Sequence, residues 1–255
     1  MKVLTIARYT FLEVVKSKVL YNTIFLGCIF LVSSFVAKEF TYGVPERVAL
    51  DFGLGLLSIS SVGIGIFFGA TLISKELEGR TIYMILSRPV WRWEYLLGRI
   101  LGMSSMLFLN VMILSLMCLA VYWSSSGNLS HSLIYWSILF SYFEALIVLL
   151  VTVFFSLLTN VTMTVVSSLI IFILGHALTS TMAYEFVNNR GFLKGLLKVY
   201  SVFFPNFSRL NIKDFVLYQN DLPSSFLMGN VLYSTIYIIA LFLLSSFILQ
   251  KKDLT

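Results

Sequence analysis

Long apolar runs, each close to the thickness of a membrane, constrain this chain more than any other feature. A bilayer core of ~30 Å needs about 20 helical residues to cross it. Lipid leaves backbone polar groups to be satisfied internally, so spanning runs of this length fold as helices. The sequence therefore predicts an all-α, polytopic membrane protein with a single transmembrane domain over residues 1–255. The six predicted spans cover about residues 19–37, 52–73, 96–123, 133–158, 161–182 and 226–249.

Composition excludes a soluble domain. Hydrophobic residues make up 58% of the chain and charged residues 12%, and the mean hydropathy is +0.92. The net charge of +6 does not indicate nucleic acid as a partner. The cations lie at the ends of the apolar runs, where lipid headgroups and the orientation rule account for them.

Sequence patterns for catalysis are missing. The chain has no P-loop, HExxH or GxSxG pattern. Cys28 and Cys118 lie inside apolar runs without the spacing of metal ligands. We therefore expect that the chain is not an enzyme, has no catalytic residue or metal site, and binds no cofactor of its own.

The densest charge cluster lies over residues 74–95, between the second and third predicted spans. Seven of its residues carry charge, and each would cost about 2.5–3.5 kcal/mol at the centre of a bilayer. The stretch must therefore lie in water or at the interface. From Glu76 to Leu86 the apolar residues recur at roughly helical spacing, which predicts a short amphipathic helix that ends before Pro89.

This charged stretch also carries an ordered motif that resembles a known family. The motif reads Lys75-Glu76-x-Glu78-Gly79-Arg80-Thr81, then Leu86-Ser87-Arg88-Pro89-Val90, then Trp93-Glu94-Tyr95-Leu96-Leu97-Gly98-Arg99. It resembles the first cytoplasmic loop of bacterial ABC exporter permeases of the ABC-2 type. In that family the loop forms a coupling helix, which docks into a groove on a separate ATPase subunit.

The resemblance implies a set of coupling residues and a set of partners. Glu76, Glu78 and Arg80 would pair across the ATPase interface, Gly79 would allow close backbone approach, and Thr81 belongs to the same motif. The implied partners are a dimer of ABC ATPase subunits, which bind ATP and Mg²⁺, and a second permease copy or a paralogue.

The N-terminal residues 1–17 are predicted to form an interfacial helix, with apolar residues on one side and polar residues on the other. The alternative is that they begin the first span. Arg8, Glu13 and Lys16 make that alternative costly, and the resemblance implies an elbow helix at this position that contacts the ATPase.

Two features inside the spans point to packing or function. Gly65 and Gly69 have GxxxG spacing, which favours close helix packing, either within the chain or against a second copy. Glu144 lies near the middle of the fourth span, with His176 or a serine such as Ser141 as its possible partner. An acid at this depth is either a functional site or a hydrogen-bonded structural contact between helices.

Residues 185–223 form the long hydrophilic excursion before the last span. Two amphipathic pieces separated by Pro205 are predicted to lie at the membrane interface. The break Phe204-Pro205-Asn206-Phe207 resembles permeases of the nitrous-oxide reductase maturation and gliding-motility branch, where this region forms a gate on the far side. The resemblance thus implies an extracytoplasmic, gate-like segment.

The distribution of cations predicts the orientation. With both termini inside, eleven Lys and Arg residues lie on the inner side and seven on the outer side. We therefore expect a multi-pass protein of the bacterial cytoplasmic (inner) membrane with both termini in the cytoplasm.

On this basis we expect the permease subunit of an ATP-driven exporter. One alternative is a membrane scaffold that transmits mechanical work to a periplasmic or envelope partner, and another is an ion-coupled carrier or channel that uses Glu144. The sequence does not specify the substrate or whether the permease pairs with itself.

Overall fold

The structure is a computed structural model that describes residues 2–16, 19–40, 45–79, 91–125, 132–183, 191–192, 195, 197, 200, 204–218 and 222–251. No β-strand occurs among these residues, which confirms the all-α class. The elements are α1 (Lys2–Lys16), α2 (Val19–Phe40), α3 (Pro45–Glu78), α4 (Arg92–Ser124), α5 (Ser132–Leu158), α6 (Val161–Ala183), a 3₁₀ turn (Phe207–Arg209), α7 (Lys213–Leu217) and α8 (Ser224–Lys251).

Five of these helices, α3 to α6 and α8, are long and apolar enough to cross a membrane. By the same measure α2 contributes a shorter apolar stretch, Thr23–Ser34. The multi-pass class is therefore shown, and the count of six spans stays a prediction.

The helix α3 is longer than the predicted second span. It begins at Pro45, where a proline suits the first helical position, and continues through Glu78. Its charged residues lie in its first two turns and its last turn, where water can solvate them without breaking the helix. The helix predicted from Glu76 therefore does not begin at Glu76, which lies in the last turns of α3. Residues 80–90, the rest of that prediction, lie outside the described residues.

The bundle has two ends. We call the end where α3 stops and α4 starts the loop end, and the opposite end, where α3 starts and α4 stops, the far end. One buried apolar cluster joins Val14 of α1, Leu96 of α4 and Leu249 of α8, all at the loop end. A second cluster contains Leu50 of α3 and the buried Phe207, at the far end.

The GxxxG pair lies in a tight contact between α3 and α5. A Cβ atom at Gly69 would stand 2.8 Å from Cβ of Thr152, and one at Gly65 would stand 3.2 Å from the carbonyl oxygen of Ala145. Any larger side chain would push the two helices apart. Both glycines thus serve packing within the chain.

A polar contact inside the membrane attaches α2 to the bundle. The Thr23 hydroxyl donates to Oδ1 of Asn110 at 2.8 Å, and Nδ2 of Asn110 donates to the Ser61 hydroxyl at 3.1 Å. All three residues are fully buried. Such hydrogen bonds hold spanning helices together where water is absent.

Candidate functional site

A buried guanidinium joins three helices at the loop end. Arg99, in the second turn of α4, is 6% exposed. Its Nη1 donates to Oε2 of Glu13 at 2.7 Å and to the Thr10 hydroxyl at 3.1 Å, both on α1. Its guanidinium also forms an ion pair with Glu76 of α3. We call these four residues the Arg99 cluster.

Helix α1 packs closely enough on α4 to bring these groups together. A Cβ atom at Gly102 would stand 2.7 Å from the carbonyl oxygen of Ala7, and one at Gly98 would stand 2.7 Å from Cβ of Ile6. The two glycines thus form a small-residue face on which α1 lies. Arg99 projects beside this face, between α1 and α3.

The protonation of Glu76 is set by opposing effects. Burial, and then the neighbouring Glu13 carboxylate, raise the pKa of Glu76 to about 8. The adjoining Arg99 guanidinium is a cation and favours the charged form of Glu76. The Arg99 cluster contains one cation and two carboxyl groups. Its net charge is zero when one of the two carboxyl groups is protonated.

The predicted coupling residues divide between described and undescribed parts of the chain. Glu76 is only 13% exposed in its side chain, because it contacts Arg99. Gly79 follows the end of α3 and is exposed. The Glu78 side chain and residues 80–90, including Arg80 and Thr81, lie outside what the structure describes.

Arg92 ties the last helix to the same end of the bundle. Its Nη1 donates to the carbonyl oxygens of Leu249 at 3.0 Å and Gln250 at 2.9 Å. The last carbonyl groups of a helix have no partner within it, and a cation there also offsets the helix dipole. The C-terminal turn of α8 is therefore held beside the start of α4.

A polar cavity lies between α3, α5, α6 and residues 204–218. Its volume is about 270 Å³. The polar residues that line it include Ser58, Ser137, Ser141, Glu144, His176 and Lys213. The structure thus brings together groups from four segments that are far apart in sequence.

Glu144 and His176 face each other at this cavity. Glu144 is 3% exposed, and its Oε1 lies 3.3 Å from Nε2 of His176. The Ser58 hydroxyl donates to its Oε2 at 3.3 Å. The alternative partner named from sequence, Ser141, donates instead to the carbonyl oxygen of Ser137 in its own helix.

The segment 204–218 covers His176. The Phe207 ring stacks on the imidazole, with centroids 5.8 Å apart and an interplanar angle of 21°. The Ser208 hydroxyl donates to the His176 carbonyl oxygen at 2.6 Å. The carbonyl oxygen of Pro205 lies 2.7 Å from where a Cβ of Gly175 would stand. The predicted break at Pro205 therefore lies directly against α6.

The apolar side chains in this part of the segment pack within the bundle and do not face lipid, and the predicted depth of the segment at the membrane interface stays a prediction. Phe207, Leu210, Ile212 and Val216 are between 0% and 2% exposed, because they pack among the spanning helices. An amphipathic pattern fits the inside of a bundle as well as a lipid surface. The parts of residues 185–223 outside the described ranges stay a prediction.

Several contacts of these sites were missed from sequence. The loop motif includes Arg99, but its pattern does not identify Thr10 and Glu13 as partners of the guanidinium. A cation within the first turns of an apolar span, between Leu97 and Ile100, is the signal that it needs a buried partner. Nothing in the local sequence marks Ser58 as a contact of Glu144.

The family model described as ABC-2 family transporter protein matches residues 29–254. The chain belongs to this family. The match covers the helices from within α2 through the last span, including the loop motif and the cavity. Comparison with curated proteins gives no match.

As an ABC-2 family protein, the chain is a multi-pass membrane permease of an ABC transporter. The resemblance seen in the loop motif is therefore confirmed at the level of the family. Permeases of this family are membrane subunits, generally without catalysis of their own, and membership implies association with an ABC ATPase subunit.

Proposed function

We propose that this ABC-2 permease is the membrane subunit of an ATP-driven exporter in the bacterial cytoplasmic membrane. A dimer of separate ABC ATPase subunits would supply ATP, Mg²⁺ and hydrolysis, and a second permease copy or a paralogue would complete the transporter. The observation that carries the proposal is the Arg99 cluster, which ties the helix entering the charged loop to two other helices.

Contacts at the loop end support six spans with both termini on one side. Glu13 of α1 bonds to Arg99, and the last turn of α8 bonds to Arg92, so the chain starts and ends at the same end of the bundle. Since α3 runs from the far end to the loop end, α2 has to bring the chain from the loop end to the far end. Helix α2 is then a span as well, the first in the chain, and it brings the count to six. The cation bias favours the cytoplasm as the side on which the loop end lies.

The Arg99 cluster provides a path for motion from the loop into the membrane. Nucleotide binding would close the ATPase dimer and displace the loop around Gly79. Because Arg99 joins α3 to α4 and to α1, displacement of the loop moves these helices together. The ATPase can bias the inward or outward state only through its difference in affinity for the two.

The test is association with the ABC ATPase encoded nearest to the gene. We expect the tagged native chain to co-purify with that ATPase in mild detergent and to change its rate of ATP hydrolysis. The loop variant Glu78→Ala/Arg80→Ala should lose the partner or its effect on the rate. Arg47→Ala, which removes an exposed cation near the start of α3 at the far end, is the matched control and should behave as the native chain does.

If no ATPase associates with the native chain under any condition, the exporter proposal fails. If the loop variant and the control retain the partner equally, the loop is not the coupling element. A complex that hydrolyses ATP but responds to a periplasmic protein would favour the scaffold function instead.

A further inference from the structure

The cavity beside Glu144 has a charge pattern that points to a class of ligand. Among the described residues, the charged or titratable groups at the cavity are Glu144, His176, Lys213 and Asp51, the last through its contact with Lys213. Lys213 Nζ lies 2.6 Å from Oδ1 of Asp51, so these two charges offset each other. Glu144 and His176 are left to determine the net charge.

Glu144 is incompletely satisfied by its neighbours. Its contacts with His176 and Ser58 are both 3.3 Å long, and Oε1 has no well-aligned hydrogen bond among the described residues. A buried carboxylate with long contacts needs either a proton or a cation nearby. The cavity leaves space for a cation beside it.

The surrounding hydroxyl groups suit a cation that carries N–H groups. Ser137, Ser141 and Glu144 are spaced four and three residues apart, so they lie on one face of α5. The Ser58 hydroxyl completes this face from α3. An ammonium group has three donors and no acceptor, and these carboxylate and hydroxyl oxygens can accept from it.

The remaining lining suits an apolar chain. Leu54, Ile59, Phe172 and Leu210 contribute to the cavity wall. Ile59 is 73% exposed, so this wall continues onto the outer surface of the bundle within the membrane. A ligand with an apolar tail can therefore lie partly in the cavity and partly along α3.

We propose that this cavity binds an amphipathic ligand with a primary amine, and that the Glu144 carboxylate accepts from the ammonium group. This inference rests on the proposed function and names a substrate class for it. Among the described residues that line the cavity, no free cation is left for the anionic end of a ligand, because Lys213 pairs with Asp51. The segment 204–218, attached to His176, covers the site toward the far end.

The test measures saturable binding of radiolabelled dodecylamine to the full chain in phosphatidylglycerol nanodiscs, with empty nanodiscs subtracted. Glu144→Gln should weaken binding about tenfold, as expected for loss of a charge-assisted hydrogen bond. Glu46→Gln, which removes a carboxylate of α3 outside the cavity, is the matched control and should leave binding unchanged. Dodecanol, with the same chain and no charge, should compete poorly.

The lipid composition of the nanodiscs distinguishes two sources of the amine, a lipid headgroup and a free amphipathic amine. If phosphatidylethanolamine in the nanodiscs competes with dodecylamine in the native chain and not in Glu144→Gln, the ligand is a lipid headgroup. If it does not compete, the ligand is a free amphipathic amine. Ser58→Ala removes a hydrogen bond to Glu144 but keeps the carboxylate, so it should weaken binding less than Glu144→Gln does. It serves as a second variant of the same site in case Glu144→Gln does not fold.

Binding that Glu144→Gln leaves unchanged would overturn the proposal and would mean that Glu144 takes a proton only. Equal competition by dodecanol would overturn it as well. The measurement needs no ATPase, so loss of ATPase association would refute the exporter proposal and leave the binding result standing.

Discussion

The Arg99 cluster buries a cation among close partners, whereas Glu144 is a buried acid with long contacts and a cavity beside it. Arg99 is 6% exposed and Glu144 is 3% exposed. The guanidinium is bound by Thr10, Glu13 and Glu76 from two other helices, with its shortest contact to α1 at 2.7 Å. The carboxylate has two contacts of 3.3 Å and a cavity of about 270 Å³ beside it.

This difference separates a structural contact from a site with room for a ligand. An arginine stays charged at any accessible pH, so its burial requires permanent partners. A carboxylate can exchange a proton or a cation, so it tolerates long contacts. The first arrangement fixes three helices to one another, and the second leaves space beside the buried group.

The largest expected effect comes from Arg99→Met. It leaves Glu13 and Glu76 close together without their cation, which should lower the free energy of unfolding by about 3–5 kcal/mol. Thermal unfolding in nanodiscs, followed by circular dichroism, measures the loss. Arg8→Met, at an exposed position on α1, is the control and should change stability by less than about 0.5 kcal/mol.

A triple variant sharpens this prediction. Arg99→Met with Glu13→Gln and Glu76→Gln removes the whole set of charges, and such replacements are often neutral. We expect it to recover most of the stability. If it is as unstable as Arg99→Met alone, the loss comes from the packing of the arginine stem and not from unpaired carboxylates.

The contact between α3 and α5 joins the two regions, and Gly69→Val tests it. The added side chain would collide with Thr152 and Leu149, which should cost about 1–3 kcal/mol by overpacking. Gly63→Ala is the matched control, since no atom of the described residues lies within 4 Å of its added Cβ. It should be neutral or stabilising by up to about 1 kcal/mol. Equal losses in both variants would mean that the close approach of α3 to α5 does not account for the loss in Gly69→Val.

A pH series tests whether burial or the contact with Arg99 has the larger effect on the pKa of Glu76. Its pKa is about 8 in the folded protein and about 4.3 in an unfolded chain. Between these values the folded state keeps a proton that the unfolded state has lost, so this contribution to stability falls as the pH rises. From about pH 6 to about pH 9 the native chain should lose about 1–2 kcal/mol relative to Glu76→Gln.

Paired thermal unfolding of the two chains measures this difference. A native chain that gains stability relative to Glu76→Gln over the same range would show that the Arg99 contact outweighs burial. Glu76 would then stay a charged carboxylate paired with Arg99 at all of these pH values.

The smallest effect is expected from Glu144→Gln. The amide can accept from Ser58 and donate to His176, so stability should stay within about 1 kcal/mol of the native chain. Chemical or thermal unfolding in nanodiscs measures it. A loss as large as that of Arg99→Met would make Glu144 a structural contact between helices and would remove the contrast between the two regions.

The sequence was sufficient for the all-α, multi-pass class and for the family. Run length and hydropathy are local properties, and hydrocarbon leaves few alternatives for an apolar run of 20 or more residues. The loop motif from Lys75 to Arg99 carried the family resemblance because its order is readable without any contact. His176 was named beside Glu144 for a similar reason, since both lie deep in apolar runs.

The partners of each polar group depended on the tertiary structure. Whether Gly65 and Gly69 face α5 or a second copy depends on the rotation of α3 about its axis, which the spacing of two glycines leaves open. The same holds for Ser58, whose contact lies 86 residues away. The apolar residues of segment 204–218 match a lipid surface and a bundle interior equally well, and only the positions of α3, α5 and α6 place them inside.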